Sequence, residues 1–223
     1  MCGRFSLTAT PDSLIRHFQL HRLLHYQASY NIAPAQKILS VVELEDQSRK
    51  AVNLFWGLVP SWAKDHKNSA HLINARAETI REKPSFRSAF RHRRCLIPAT
   101  GFYEWQQRIS GKQAFHIHRH DHQLFAFAGL WEQWQHDQQT LYSCTIITTA
   151  SAEFMQPIHQ RMPVIILPEQ YRQWLDKSTT DDQAFTLLGH QGYIHMTSTP
   201  VSDWVNNPQH NDERCLLESR HQP

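Results

Sequence analysis

Short apolar runs, rich in β-branched and aromatic residues and broken by polar turns, constrain this chain more than any other feature. "KILSVVEL" and "AVNLFWGLVP" flank the polar turn "EDQSRK", and "CLIPATGFYEW", "QAFHIH", "LFAFAGLW", "LYSCTIITT" and "YIHMTSTPV" repeat the pattern downstream. Runs of this length and composition read as strands. Helical signals are fewer. "PDSLIRHFQLHRLL" (11–24) opens on Pro11 and Asp12 and spaces Leu14, Ile15, Phe18 and Leu23 helically, while "SAEFMQPI" and "PEQYRQWL" start as short helices do. Many strands with few short helices predict an α+β fold, a mainly antiparallel, curled or barrel-like sheet with short flanking helices. The 223 residues suit a single domain over 1–223, with the last ~15 residues as a tail.

Several function classes drop out. There is no βαβ unit, GxGxxG or P-loop, so no nucleotide cofactor is expected. No stretch of about eighteen apolar residues and no apolar leader occurs, which predicts a soluble, cytoplasmic protein without membrane partners. Cys2, Cys95, Cys144 and Cys215 lie far apart without a CxxC pair, against a zinc ribbon or disulfide framework. His116, His118, His120 and His122 alternate like metal ligands, but the run bends at "RHDH", and no metal is expected. His17, His21 and His25 read as an exposed helical face.

The chain opens "MCGRF". Removal of Met1 exposes Cys2, whose α-amine and thiol sit on adjacent carbons. Such a pair condenses with an aldehyde, the amine forming an imine and the thiol closing a thiazolidine. The alternative is an incidental cysteine on a frayed end.

Further segments carry chemistry more weakly. "YNIAP" offers the Asn31 amide to a ligand or, equally, to backbone. "FWGLVPSWAKD" brackets Gly57 and Pro60 with Trp56 and Trp62, which either pack or stack on a nucleobase. "LINARAET" alternates Asn74, Arg76 and Glu78, one face of an extended chain. An arginine held by a carboxylate there can grip a phosphate. "REKPSFRSAFRHRR" (81–94) concentrates Arg81, Lys83, Arg87, Arg91, Arg93 and Arg94, with Phe86 and Phe90 four apart. That mixture suits a phosphate backbone and bases, or a solvated helix with both rings in the core. In "GFYEW", alternation puts Glu104 with Phe102 and opposite Tyr103 and Trp105. A carboxyl buried there is a general acid–base, and one on the solvent side is not. "PIHQRMPVIIL" places His159 and Arg161 between two prolines, on a stiff loop entering an apolar strand.

The ordered set "MCGRF", "YNIAP", "FWGLVPSW", "LINARAET", "CLIPATGFYEW", "TTA", "IHQRMPV" and "VSDWVNN" resembles the SOS-response-associated peptidase (SRAP) family from Cys2 to about Asn207. These proteins process abasic sites in single-stranded DNA. The resemblance implies a thiazolidine crosslink between Cys2 and the ring-opened abasic sugar. It implies Asn31 beside the sugar, Glu104 orienting the amine and shuttling protons, and His159 assisting ring opening and release. It assigns Arg4, Arg76 and Arg161 to phosphates and Trp62 to the strand, with Asn74 on the same binding face. Phe86 is carried over weakly, because "KPSF" lies in a stretch of variable kind. No cofactor, a monomer, and single-stranded DNA or a single–double-strand junction as partner complete the expectation, with nucleoid association in a bacterium. A thiol peptidase using Cys2, Glu104 and His159, or a non-covalent single-strand binder, are the alternatives.

Overall fold

The computed structural model describes residues 2–65, 72–109, 111–189, 193 and 195–219. Met1 and residues 220–223 lie outside these. In chain order the strands are β1 (Phe5–Leu7), β2 (Ser29–Ile32), β3 (Lys37–Glu43), β4 (Arg49–Trp56), β5 (Asn74–Arg76), β6 (Arg94–Ala99), β7 (Gly101–Arg108), β8 (Gly111–Arg119), β9 (Phe125–His136), β10 (Gln139–Ala150), β11 (Arg161–Pro163), β12 (Ile165–Ile166) and β13 (Met196–Pro200). The helices are α1 (Pro11–Phe18), α2 (Arg87–His92), α3 (Tyr171–Leu175) and α4 (Asp181–Thr186).

Five strands close on themselves. β10 pairs with β4, β4 with β3, β3 with β6, β6 with β9, and β9 returns antiparallel to β10. The β10–β4 pairing is parallel, and so is that of β5 against β10. β11 and β12 extend the sheet on β10 and β9. A second, antiparallel sheet runs β13-β8-β7-β1-β2. The α+β, barrel-like expectation therefore holds.

An aromatic seam joins the two sheets. Phe5 on β1 meets Trp56 at 5.4 Å and Phe127 at 5.7 Å between ring centroids, and Phe102 on β7 meets Phe127 at 6.0 Å. Edge contacts of this kind favour a fixed docking over a sliding one. Cys2, three residues before Phe5, is carried into the same core and is fully buried.

Local chemistry explains where the elements depart from expectation. α1 starts as predicted, with Thr10 as its cap and Pro11 in the first turn, but ends at Phe18 rather than Leu24. Gln19 takes a left-handed conformation (φ 56°) and closes the helix, so His21 and His25 are not on it. "CLIPATGFYEW" is two strands, β6 in the barrel and β7 in the second sheet, parted at Thr100. "SAEFMQPI" holds only a 3₁₀ turn, Glu153–Met155. The stretch expected as a tail packs through buried Cys215 as far as it is described.

Four of the six basic residues of segment 81–94 are engaged by partners within the fold. Arg81 pairs with Asp182 and Arg91 with Asp181, each at 2.8 Å, docking α4. Arg93 pairs with Glu132 at 2.8 Å. Arg94 is buried, its guanidinium on the carbonyls of Phe90, Arg91, Trp174, Asp176 and Thr179. Phe86 and Phe90 are both in the core. The packing matches the reading in which both rings join the core.

Candidate active site

β1 and β7 lie side by side, with Phe5 opposite Phe102. That register brings the residues preceding β1 alongside Glu104. β5, laid parallel on β10, supplies Asn74, whose Nδ2 donates to the Cys2 carbonyl at 2.9 Å. Asn74 Oδ1 is buried with no hydrogen-bond partner among the described residues. An amide with one arm fixed to Cys2 and the other unpaired is poised for a donor beside that residue.

Glu104 is only 4% exposed. The solvent-side reading is thus excluded, and Phe102 and Tyr103 fall into separate apolar clusters on the two faces of β7. Burial raises the Glu104 carboxyl above its ordinary range, and the nearby charge of His159 pulls it back. The Cys2 thiol is raised well above its ordinary value, first by burial and then by the Glu104 carboxylate. Cys2, Asn74, Glu104 and His159 thus form one cluster from the N-terminus, β5, β7 and the loop before β11.

His159 is held so that either protonation state has a backbone partner at Nδ1. Arg161 N–H donates to Nδ1 at 2.9 Å, and the Arg161 carbonyl lies 3.0 Å from the same nitrogen. With Nδ1 accepting, the neutral ring carries its proton on Nε2. An open depression of about 410 Å³, lined by Ala150, Ser151, Gln156 and Gln160, flanks this loop.

The remaining candidates divide. Trp62 is 66% exposed, on a loop launched from β4 by Gly57 at φ 141°. Trp56 is buried, its indole N–H on the Ile73 carbonyl. Arg76 is exposed, and its guanidinium makes no hydrogen bond among the described residues, while its backbone pairs with Thr148 on β10. Arg161 is bidentate to Glu78 at 2.6 and 3.0 Å and also donates to the Thr148 carbonyl at 2.8 Å, so its fork is engaged. Glu78 sits in the 3₁₀ turn after β5, not on the strand face the alternation predicted.

Asn31 and Arg4 belong to a structural lock. Arg4 donates to Asn31 Oδ1 at 2.8 Å and to the Val205 carbonyl at 2.9 Å, and lies over the Trp105 ring. Asn31 Nδ2 faces the carbonyls of Val205, Asn207 and His210. The backbone-bonding reading of Asn31 is the one its surroundings fit. Sequence reasoning put Asn74 on the binding face through its alternation with Arg76, but gave no sign that it touches Cys2. That contact depends on β5 pairing with β10, seventy residues away in the chain.

The comparisons agree with this architecture. The SOS response associated peptidase (SRAP) family matches residues 1–208. The abasic site processing protein YoaM of Bacillus subtilis (strain 168) is 43% identical over 99% of this chain and 100% of its own length. The abasic site processing protein HMCES of Xenopus tropicalis is 30% identical, over 97% of this chain and 78% of its own. A crystal structure of a Bacteroides thetaiotaomicron protein superposes with a TM-score of 0.86 at 23% identity, over 98% of this chain and all of the other, which shows the fold. No helix among the described residues is long and apolar enough to cross a membrane. With the family match spanning residues 1–208 and YoaM aligned over its whole length, the chain belongs to the SRAP family.

Proposed function

We propose that this protein processes abasic sites in single-stranded DNA by forming a thiazolidine with Cys2 after Met1 is removed. The observation that carries the reading is the convergence of Asn74 and Glu104 on the one residue that can present a 1,2-aminothiol, with His159 in electrostatic reach of Glu104. The curated relatives named as abasic site processing proteins support it.

The chemistry follows from the surroundings. The α-amine of Cys2 adds to the aldehyde of the opened sugar and loses water, giving an imine. The thiol then adds across C=N, the sulfur bonding to carbon while its proton passes to nitrogen, so that only one water is lost overall. A thiol pushed up by burial is neutral near pH 7, so closure needs a base at the sulfur. Glu104, itself raised by burial, takes that proton more readily than an ordinary carboxylate. His159 Nε2 serves proton transfer at the sugar oxygen. Asn74 fixes the Cys2 carbonyl and offers Oδ1 to the amine. Exposed Arg76 and Trp62 supply a phosphate contact and a stacking surface.

The same geometry weighs against a thiol peptidase, which needs a thiolate stabilised by positive surroundings. Here burial and a carboxylate oppose one.

Intact mass spectrometry before and after incubation with a single-stranded oligonucleotide bearing one abasic site tests the proposal. The expected result is protein lacking Met1 and a new species at protein plus DNA less one water, without reductant and absent in Cys2→Ala. Protein lacking Met1 that forms no adduct would overturn it.

A further inference from the structure

β7 carries Glu104, Gln106 and Arg108 at alternate positions, so the three leave the strand on the same face. Glu104 belongs to the site described above, and the other two form a chain of contacts running away from it. Gln106 Nε2 donates to the Pro157 carbonyl at 2.9 Å. Gln106 Oε1 accepts from Arg108 Nε at 2.8 Å. An amide whose oxygen is tied to a guanidinium must turn its NH₂ the other way, so Arg108 decides which end of Gln106 meets the loop.

Pro157 lies two residues before His159, on a segment stiffened from within. The N–H groups of Ile158 and His159 both reach the Met155 carbonyl at 2.9 Å, and Ser151 N–H reaches the Gln160 carbonyl at 2.9 Å. Ile158 is buried in the main core. Such a segment shifts as a unit, and displacement at Pro157 carries His159 with it. His159 is in turn fixed to Arg161 at the start of β11. The ring is thus held from one side by the strand that follows and from the other by β7, the strand that bears Glu104.

We propose that Gln106, oriented by Arg108, is a positioning residue that holds the His159 loop in register with Glu104. Its consequence for rate rests on the crosslinking reading, whereas the positioning itself does not. The spacing of the three residues makes the arrangement economical: one strand presents the acid and, two residues on, the clamp that sets its partner's distance.

The test uses the whole protein and two readouts. The first is the ring ¹H–¹³C signal of His159, identified by its loss in His159→Asn. Glu104→Gln moves that signal by removing the facing charge. Gln106→Ala and Gln106→Glu, the latter unable to donate to Pro157, are expected to move it as well, and Arg108→Lys to restore most of the wild-type position that Arg108→Ala loses. The second readout is the rate of adduct formation with an abasic oligonucleotide. Gln106→Ala is expected to slow it by about threefold to tenfold, the span one hydrogen bond carries. Affinity for an undamaged strand should stay within about twofold, because Gln106 makes none of the strand contacts proposed above. A His159 signal that responds to Glu104→Gln but not to Gln106→Ala would overturn the proposal, as would an unchanged adduct rate. Absence of any adduct in the wild type would instead remove the crosslinking reading, leaving the His159 signal to decide the positioning.

Discussion

Asn31 and Asn74 carry the same amide, and their surroundings give them different work. Asn31 is 1% exposed, accepts from Arg4 and faces three carbonyls of the 205–210 segment. Asn211 returns the tie, its Oδ1 accepting from Ser29 Oγ and from the backbone N–H groups of Tyr30 and Asn31. Removing the Asn31 side chain strands buried carbonyls and a guanidinium at once. Asn31→Ala is therefore expected to lower unfolding stability by about 2 kcal/mol or more, with crosslinking falling only as far as the folded fraction does. Asn74 has one arm on Cys2 and one unpaired, so Asn74→Ala should cost about 1 kcal/mol or less and yet slow adduct formation by at least tenfold. Urea unfolding beside single-turnover rates for both variants checks this. A selective rate loss in the Asn31 variant would place that amide in the chemistry after all. At this scale the structure brings Cys2 and His159 within electrostatic reach of Glu104, a grouping that the sequence offered only through its family resemblance. The sequence could not say which asparagine has a free arm, because that is set by partners more than a hundred residues away.

Elements were legible where a local rule ends or starts them and illegible where distant packing does. Pro11 and Asp12 announced α1, and the polar turn between β3 and β4 announced that hairpin. The break at Thr100 was hidden, since β6 and β7 read as one apolar run, and only membership in different sheets separates them. β8 shows what such a run conceals. His116 is buried, packed against Gly101 so closely that a Cβ there would fall 2.0 Å from His116 Nε2, and that nitrogen lies 3.0 Å from Ser6 Oγ. The His118 ring stacks on it at 5.1 Å and the His122 ring on His118 at 5.0 Å. Rings stacked face to face at this spacing do not converge on a common point. Burial, with the neighbouring histidines adding to it, pushes His116 down to about 3. A histidine lowered in the folded state binds fewer protons than in the unfolded chain. The stability this reflects is whole above the ordinary value of 6.5 and is lost as pH falls toward 3, at a limiting rate of about 1.4 kcal/mol per pH unit. Urea midpoints measured from pH 7 to pH 4 should fall steeply for the wild type and less so for His116→Gln, whatever the offset between them. Parallel acid limbs would show that His116 is not the group that charges.

The whole molecule explains why the Cys2 site lies at a junction and why its charge is modest. The barrel closes only when β10 has found both β4 and β9, and the second sheet then docks through Phe5 and Phe102 onto Trp56 and Phe127. No window of sequence contains that closure, which is why the curl could be expected but the strand order could not. The same global packing decides how much positive charge is left for a nucleic acid. Six basic residues crowd positions 81–94 in a chain whose net charge is only +3, but Arg81, Arg91 and Arg93 are paired with acids and Arg94 is buried on carbonyls. Lys83 and Arg87 are exposed there without an ion pair among the described residues, and Arg76 is exposed beside the site. A strand held by two or three phosphate contacts releases few counterions, so log K for undamaged single-stranded DNA should fall against log salt with a slope of about −2 or shallower. Had the whole basic segment faced the strand, six contacts would give a slope near −4. Fluorescence anisotropy across a salt series separates the two, and a slope near −4 would mean that DNA pulls the segment away from its acidic partners. A shallow slope has a further consequence for selectivity. On the proposed crosslinking mechanism, weak, salt-tolerant docking would leave undamaged DNA quickly released and retain only a strand offering an aldehyde to Cys2. Adduct yield at long times should accordingly stay constant across the same salt series while its rate follows the binding curve.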